Sequence, residues 1–181
     1  MKKVVFLLLI FFGGVSGVWA QQPQIPTLQV CNPTKVYGKG YLKIESRRNA
    51  QRTGSCLVYI PKQDPVTCDP RSGYPRGKVF IAKIDMTDSL RGDIESTYIE
   101  QVTTTGKHTP TVYIKGRCKV SGPRSIPGCR FWLMIADNRN GRGKRPSDVV
   151  SFLVFDAAGR RIAYGTAPLL EGDFIVSPTS Y

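Results

Sequence analysis

One histidine is all that the 181 residues contain, and neither a Cys-x-x-Cys pair nor a Gly-x-Ser-x-Gly elbow occurs. The missing Cys pair removes the common zinc-site spacings. The missing elbow removes the usual serine hydrolase of mixed fold. Acidic residues are scarce, 13 against 26 Lys and Arg, which leaves a formal net charge of +13. Apolar residues at helical spacing are also missing: no stretch repeats at i, i+3, i+4 and i+7 over several turns. An all-helical protein is therefore excluded, and no metal or organic cofactor is expected.

Long apolar runs are missing too. The longest, Val4 to Phe12 in "MKKVVFLLLIFFGGVSGVWA", covers nine residues, too few to span a bilayer. It follows Lys2 and Lys3 and precedes Val18 and Ala20, small enough for a signal-peptidase site. The expectation is a cleaved secretory signal over residues 1–20, a flexible mature N-terminus over 21–27, and one β domain over 28–181. Export would make the protein secreted or periplasmic. Losing Lys2 and Lys3 lowers the net charge from +13 to about +11. That surplus favours contact with polyanions such as acidic polysaccharide or lipopolysaccharide.

What the sequence does have is period-two alternation. In "TVYIKGRCKV", Val112, Ile114, Gly116, Cys118 and Val120 fall on one face, and Thr111, Tyr113, Lys115, Arg117 and Lys119 on the other. "YLKIESR" alternates the same way, with Leu42 and Ile44 inward. "FWLMIA" (131–136) and "VVSFLVF" (149–155) are apolar at nearly every position, which predicts central strands covered on both faces. "KVFIAKIDM", "GDIESTYIEQV", "SCLVYI" and "GDFIVSP" supply further strands, and "FDAAGRRIAYG" predicts a hairpin turning at Ala157 to Gly159. Eight or nine short strands predict a single antiparallel β-sandwich or a small barrel.

Five cysteines follow the leader: Cys31, Cys56, Cys68, Cys118 and Cys129. In an oxidising compartment they should pair, and the odd count leaves one thiol over. Cys118 and Cys129 flank a Gly- and Pro-rich loop between two strands and are the expected bridge. A second bridge should come from the other three. The odd Cys, or an apolar strand edge, could meet a protein partner.

Two connectors concentrate positive charge. "NRNGRGKRPS" carries Arg139, Arg142, Lys144 and Arg145, and "SRRNAQRTGS" carries Arg47, Arg48 and Arg52. Guanidinium forks grip carboxylate and phosphate, so these seven are the candidate anion-binding residues. Placed at one end of the fold, they would make a single cationic rim. The outward face of Lys115, Arg117 and Lys119, beside Tyr113, is a third basic surface. His108 is a lone candidate base without a companion nucleophile and fits a turn better. The acids from Asp85 to Glu100 lack the ligand order of a calcium loop, and Arg91-Gly92-Asp93 fits a hairpin as well as an adhesion motif. The reading is a non-enzymatic exported binding module for an anionic polymer. The alternatives are an extracellular hydrolase using Asp137, Asp148 or Asp156, and an assembly subunit of a surface complex.

Overall fold

The computed structural model describes residues 31–45, 53–69, 71–87, 90–106, 108–123, 125–138 and 146–178. The expected leader and mature N-terminus lie outside them. Ten strands follow in order: β1 (Thr34–Glu45), β2 (Thr53–Ile60), β3 (Val66–Cys68), β4 (Pro75–Arg76), β5 (Phe80–Thr87), β6 (Leu90–Thr105), β7 (Thr111–Ser121), β8 (Ile126–Ala136), β9 (Val149–Asp156) and β10 (Arg161–Pro178). Among the described residues there is no helix.

One pairing decides between the two expected architectures. Strand β1 bonds to β2 on one flank and to β10 on the other. The sheet therefore closes on itself as an eight-stranded antiparallel barrel of β1, β2 and β5 through β10, with β3 and β4 as a small flap on β1. The sandwich expectation is corrected: there is one closed sheet, not two facing ones. Closure joins the two edges that an open sheet leaves exposed.

A barrel of eight strands is just wide enough for side chains to fill. Its interior here is apolar. Ile81, Ile94, Ile114, Phe131, Leu133, Ile135, Val150, Phe152 and Phe174 are all buried in it. The alternation read in β7 holds at each position, with 112, 114, 116, 118 and 120 inward. The two-sided cover expected for β8 and β9 does not. Phe131, Leu133 and Ile135 are buried, whereas Trp132 is 46% exposed and Leu153 only half buried. A single closed sheet has no second layer outside it, so outward apolar residues stay at the surface. Outward positions also carry charges, Lys39 and Lys115 among them.

Glycines make room for the large inward groups. Gly40 faces Leu169, whose Cδ1 would lie 2.7 Å from an added Cβ. Gly116 faces Phe131, whose Cε1 would lie 2.8 Å away. These inward glycines obscure the period-two signal, which is why the first half of β1 does not read as a strand.

Strand β9 begins at Val149, opposite Pro168, yet β10 continues for ten more residues. On the side away from β1, the N–H groups of that extension need other acceptors. Two buried carboxylates supply them: Asp148 Oδ2 accepts from Phe174 N at 2.9 Å, and Asp137 Oδ2 from Val176 N at 3.0 Å. Asp148 Oδ1 also accepts from Asn138 N at 3.0 Å, and its carbonyl accepts from Leu169 N at 2.8 Å. The base of the 138–147 connector is thereby fixed to the barrel wall.

Two disulfides add to this frame. Cys118 joins Cys129 across the β7–β8 register, Cα atoms 4.8 Å apart. Cys31 joins Cys68 at 5.4 Å, tying β3 to the segment before β1. That segment also pairs with β6 at Val102. Cys56 remains a thiol, pointing into the barrel and 2% exposed. Burial pushes its pKa up to about 12, so it stays protonated and out of reach of a partner's cysteine.

Candidate binding face

Strand direction fixes where each candidate connector leaves the barrel. If β1 runs upward, the 46–52 connector leaves the upper rim. Strand β8 runs downward, so the 138–147 connector leaves the lower rim. The single rim imagined for both is therefore corrected, because their anchoring strand ends lie at opposite ends of the barrel. Arg47, Arg48, Arg52, Arg139, Arg142, Lys144 and Arg145 themselves lie outside the described residues.

Of the three carboxylates in the hydrolase reading, Asp137 and Asp148 come together but Asp156 does not join them. Asp137 and Asp148 are buried at the lower rim, where they hold β10. Asp156 sits at the upper rim, eight residues along β9 and so about 25 Å away. It caps the β9–β10 turn: Oδ1 accepts from the N–H groups of Ala158 and Arg160, and Oδ2 from Arg160 Nε at 2.8 Å. The Arg160 N–H, then its guanidinium, hold this carboxyl below its ordinary pKa. Gly159, at φ 77°, completes that turn. His108 is exposed in the β6–β7 turn, and among the described residues no cluster of His, Cys, Asp or Glu could hold a metal. Arg91, Gly92 and Asp93 lie inside β6, paired to β5 or β7.

What the structure does assemble is an outer wall on β6 through β10. The register sets side chains in rows across it. One row runs Tyr98, Arg117, Arg130, Phe155, Arg161. The next runs Gln101, Lys115, Trp132, Leu153, Tyr164, and the third Thr103, Tyr113, Met134, Ser151, Thr166. Among the described residues, four of the most exposed large rings fall in these rows: Tyr98 at 51%, Tyr113 at 48%, Trp132 at 46% and Tyr164 at 40%. Trp132 meets Phe155 edge-on with centroids 5.1 Å apart, and Arg161 lies 4.3 Å over the Tyr164 ring.

Electrostatics separate the used cations from the available ones. Arg117 Nε bonds Glu100 at 2.9 Å. Lys119 and Lys78 share Glu95 at 2.9 and 3.3 Å, and Lys119 foremost holds that carboxyl below its ordinary pKa. The basic surface read on β7 is thus partly neutralised by acids from β6. Among the described residues, Lys115, Arg130 and Arg161 have no such carboxylate. Arg130 stands directly opposite Arg117, and like charges at that position destabilise a sheet. A hollow of about 840 Å³ opens beside the pair, lined by Thr97, Pro127, Gly128, Trp132 and Phe155. A smaller one of about 260 Å³ lies below it, between Tyr113, Lys115, Trp132 and Leu153.

Sequence reading found Lys115, Arg117, Lys119 and Tyr113 but missed Arg130, Trp132, Phe155, Arg161 and Tyr164. Their outward parity was available in the sequence, but the apolar runs around them suggested burial. Fold and face together define a closed antiparallel barrel with an aromatic and cationic outer wall. The chain matches no known family model, and neither a curated protein nor a solved structure shows significant similarity to it.

Proposed function

We propose that this protein is an exported, non-enzymatic module that binds an acidic polysaccharide. The observation that carries the reading is the β6–β10 wall, where cations without carboxylate partners among the described residues stand beside exposed rings. Cations attract the polymer over distances of a Debye length, while Tyr and Trp offer amphipathic area at low entropic cost. Asp137 and Asp148 neighbour each other, but both are fully buried and spend their oxygens on backbone N–H groups, which supports binding over hydrolysis. Both disulfides suit an oxidising compartment, as export requires. The cations of the two connectors would extend the contact at either rim.

The kind of polymer follows from how the rings are used. Arg161 covers the Tyr164 face, and Trp132 is engaged by Phe155. At Tyr164 and Trp132, therefore, part of the ring surface is already occupied, and guanidinium and phenol groups are available for polar contact. Such groups suit sugar hydroxyls and carboxylates better than stacked bases. The test is retention of the mature protein on immobilised heparin and on polygalacturonate. The variant Lys115→Gln/Arg130→Gln/Arg161→Gln should elute at a salt concentration at least a third lower, with unchanged melting. Unchanged elution would overturn the assignment of this face.

A further inference from the structure

Strand β1 carries a second pattern. In "KVYGKGYLK" the residues facing out are Lys35, Tyr37, Lys39, Tyr41 and Lys43, while Val36, Gly38, Gly40 and Leu42 face in. Cation and ring alternate about every 6.6 Å, and successive lysines stand about 13 Å apart. Lys35 and Lys62 lie 5.6 and 5.9 Å from the centre of the Tyr37 ring, from two different segments. Next to them is a shallow hollow of about 350 Å³, bordered by Lys39, Tyr59 and Gln63. Acids flank the stripe on the β10 side, where Asp173 is opposite Lys39 and Glu171 opposite Tyr41. On the β2 side Lys39, Tyr41 and Lys43 face uncharged Tyr59, Leu57 and Ser55.

Topology decides where this stripe lies relative to the first face. Going round the barrel, β7 is four strands from β1 in either direction, through β6, β5 and β2 or through β8, β9 and β10. With eight strands, β7 is diametrically opposite β1 and β8 is three strands away, whereas the β10 margin of the first face adjoins β1. Strand spacing near 4.8 Å and a tilt of 35–45° give a barrel about 15 Å across between backbones. Outward side chains add several ångströms on each side, so a polymer centred on β7 and β8 would not collide with one on the β1–β2 side.

We infer that the barrel cross-bridges two acidic polysaccharide chains, one on the part of the first face centred on Lys115 of β7 and Arg130 of β8, the other along the β1–β2 side. This rests on the polysaccharide reading of the first face and adds a second, independent contact. No oligomer is needed, since one copy carries both faces. Linking two sites on one rigid body makes network formation depend on the ratio of protein to polymer.

The test immobilises heparin, captures the mature protein on it, and then offers a second, fluorescently labelled heparin chain. The wild type should hold the labelled chain. In free solution it should also make long heparin turbid at intermediate ratios and clear again with excess polymer. The variant Lys35→Gln/Lys39→Gln/Lys43→Gln should remain on the immobilised layer yet capture at least fivefold less labelled chain. All three lysines are exposed, and an unchanged melting curve verifies that the barrel is intact. Equal capture by this variant would overturn cross-bridging while leaving the first face standing. Failure to bind even the immobilised layer would overturn the polysaccharide reading itself, and tighter capture of a poly(dT) oligonucleotide than of heparin would do the same.

Discussion

Replacing Asp148 tests whether carboxylates stand in for the missing part of β9. Its Oδ1 and Oδ2 each accept one backbone N–H, from Asn138 at 3.0 Å and Phe174 at 2.9 Å, and the Asp148 side chain is fully buried. A hydrogen bond to a charged group contributes about 1.5–3 kcal/mol, and a buried donor left without an acceptor loses its full desolvation cost. Asp148→Ala removes both acceptors, so unfolding free energy should fall by about 3–5 kcal/mol. For a chain of this size that is a drop of about 6–20 °C in melting temperature. Asp148→Asn keeps the shape and one acceptor oxygen but sets its amide N–H₂ against the other donor, and should cost about 1–3 kcal/mol. Urea unfolding followed by tryptophan fluorescence measures both. Amide exchange should localise the damage, with Phe174 and Val176 losing protection before Phe152 does. An Asp148→Ala loss below about 1 kcal/mol would refute the reasoning, because it would mean that water satisfies these donors.

Other expectations follow from burial and charge. Phe152→Ala removes a fully buried ring from the barrel interior and should cost about 3–5 kcal/mol in the same urea assay. Cys56 should resist a thiol reagent in the native protein at neutral pH and react once urea unfolds it. Because its folded pKa is raised to about 12, stability should decline as pH climbs above the ordinary thiol value of 9.0. Asp156 and Glu95 are shifted the opposite way, so the stability they add is complete above the ordinary carboxylate range and is lost as pH falls through their lowered folded values. Asp156→Asn should therefore flatten the acid limb of a melting-temperature profile, and an unchanged limb would reject the capping role.

Much of the local structure was legible because parity in a strand is strict. The inward set of β7 could be read position by position, since a sheet sends alternate residues to opposite faces. The Cys118–Cys129 pair was legible for a related reason: two strands joined by a short loop bring the flanking residues into register. The turn at Ala157 to Gly159 followed from a Gly free to take positive φ.

Closure was not legible. The β1–β10 contact joins residues more than a hundred positions apart, and nothing local in either strand names its partner. Whether eight strands make one barrel or two stacked sheets depends on that long-range pairing. From closure comes the exposure of Trp132 and Leu153, because the missing outer layer is a property of the whole sheet. The roles of Asp137 and Asp148 arise from the length mismatch between β9 and β10, which appears only once the strands are paired. The sequence by itself determined which side chains share a face, because that depends on the geometry of one strand. Only the tertiary structure decided which faces adjoin and which oppose, since this depends on the order of strands around the barrel.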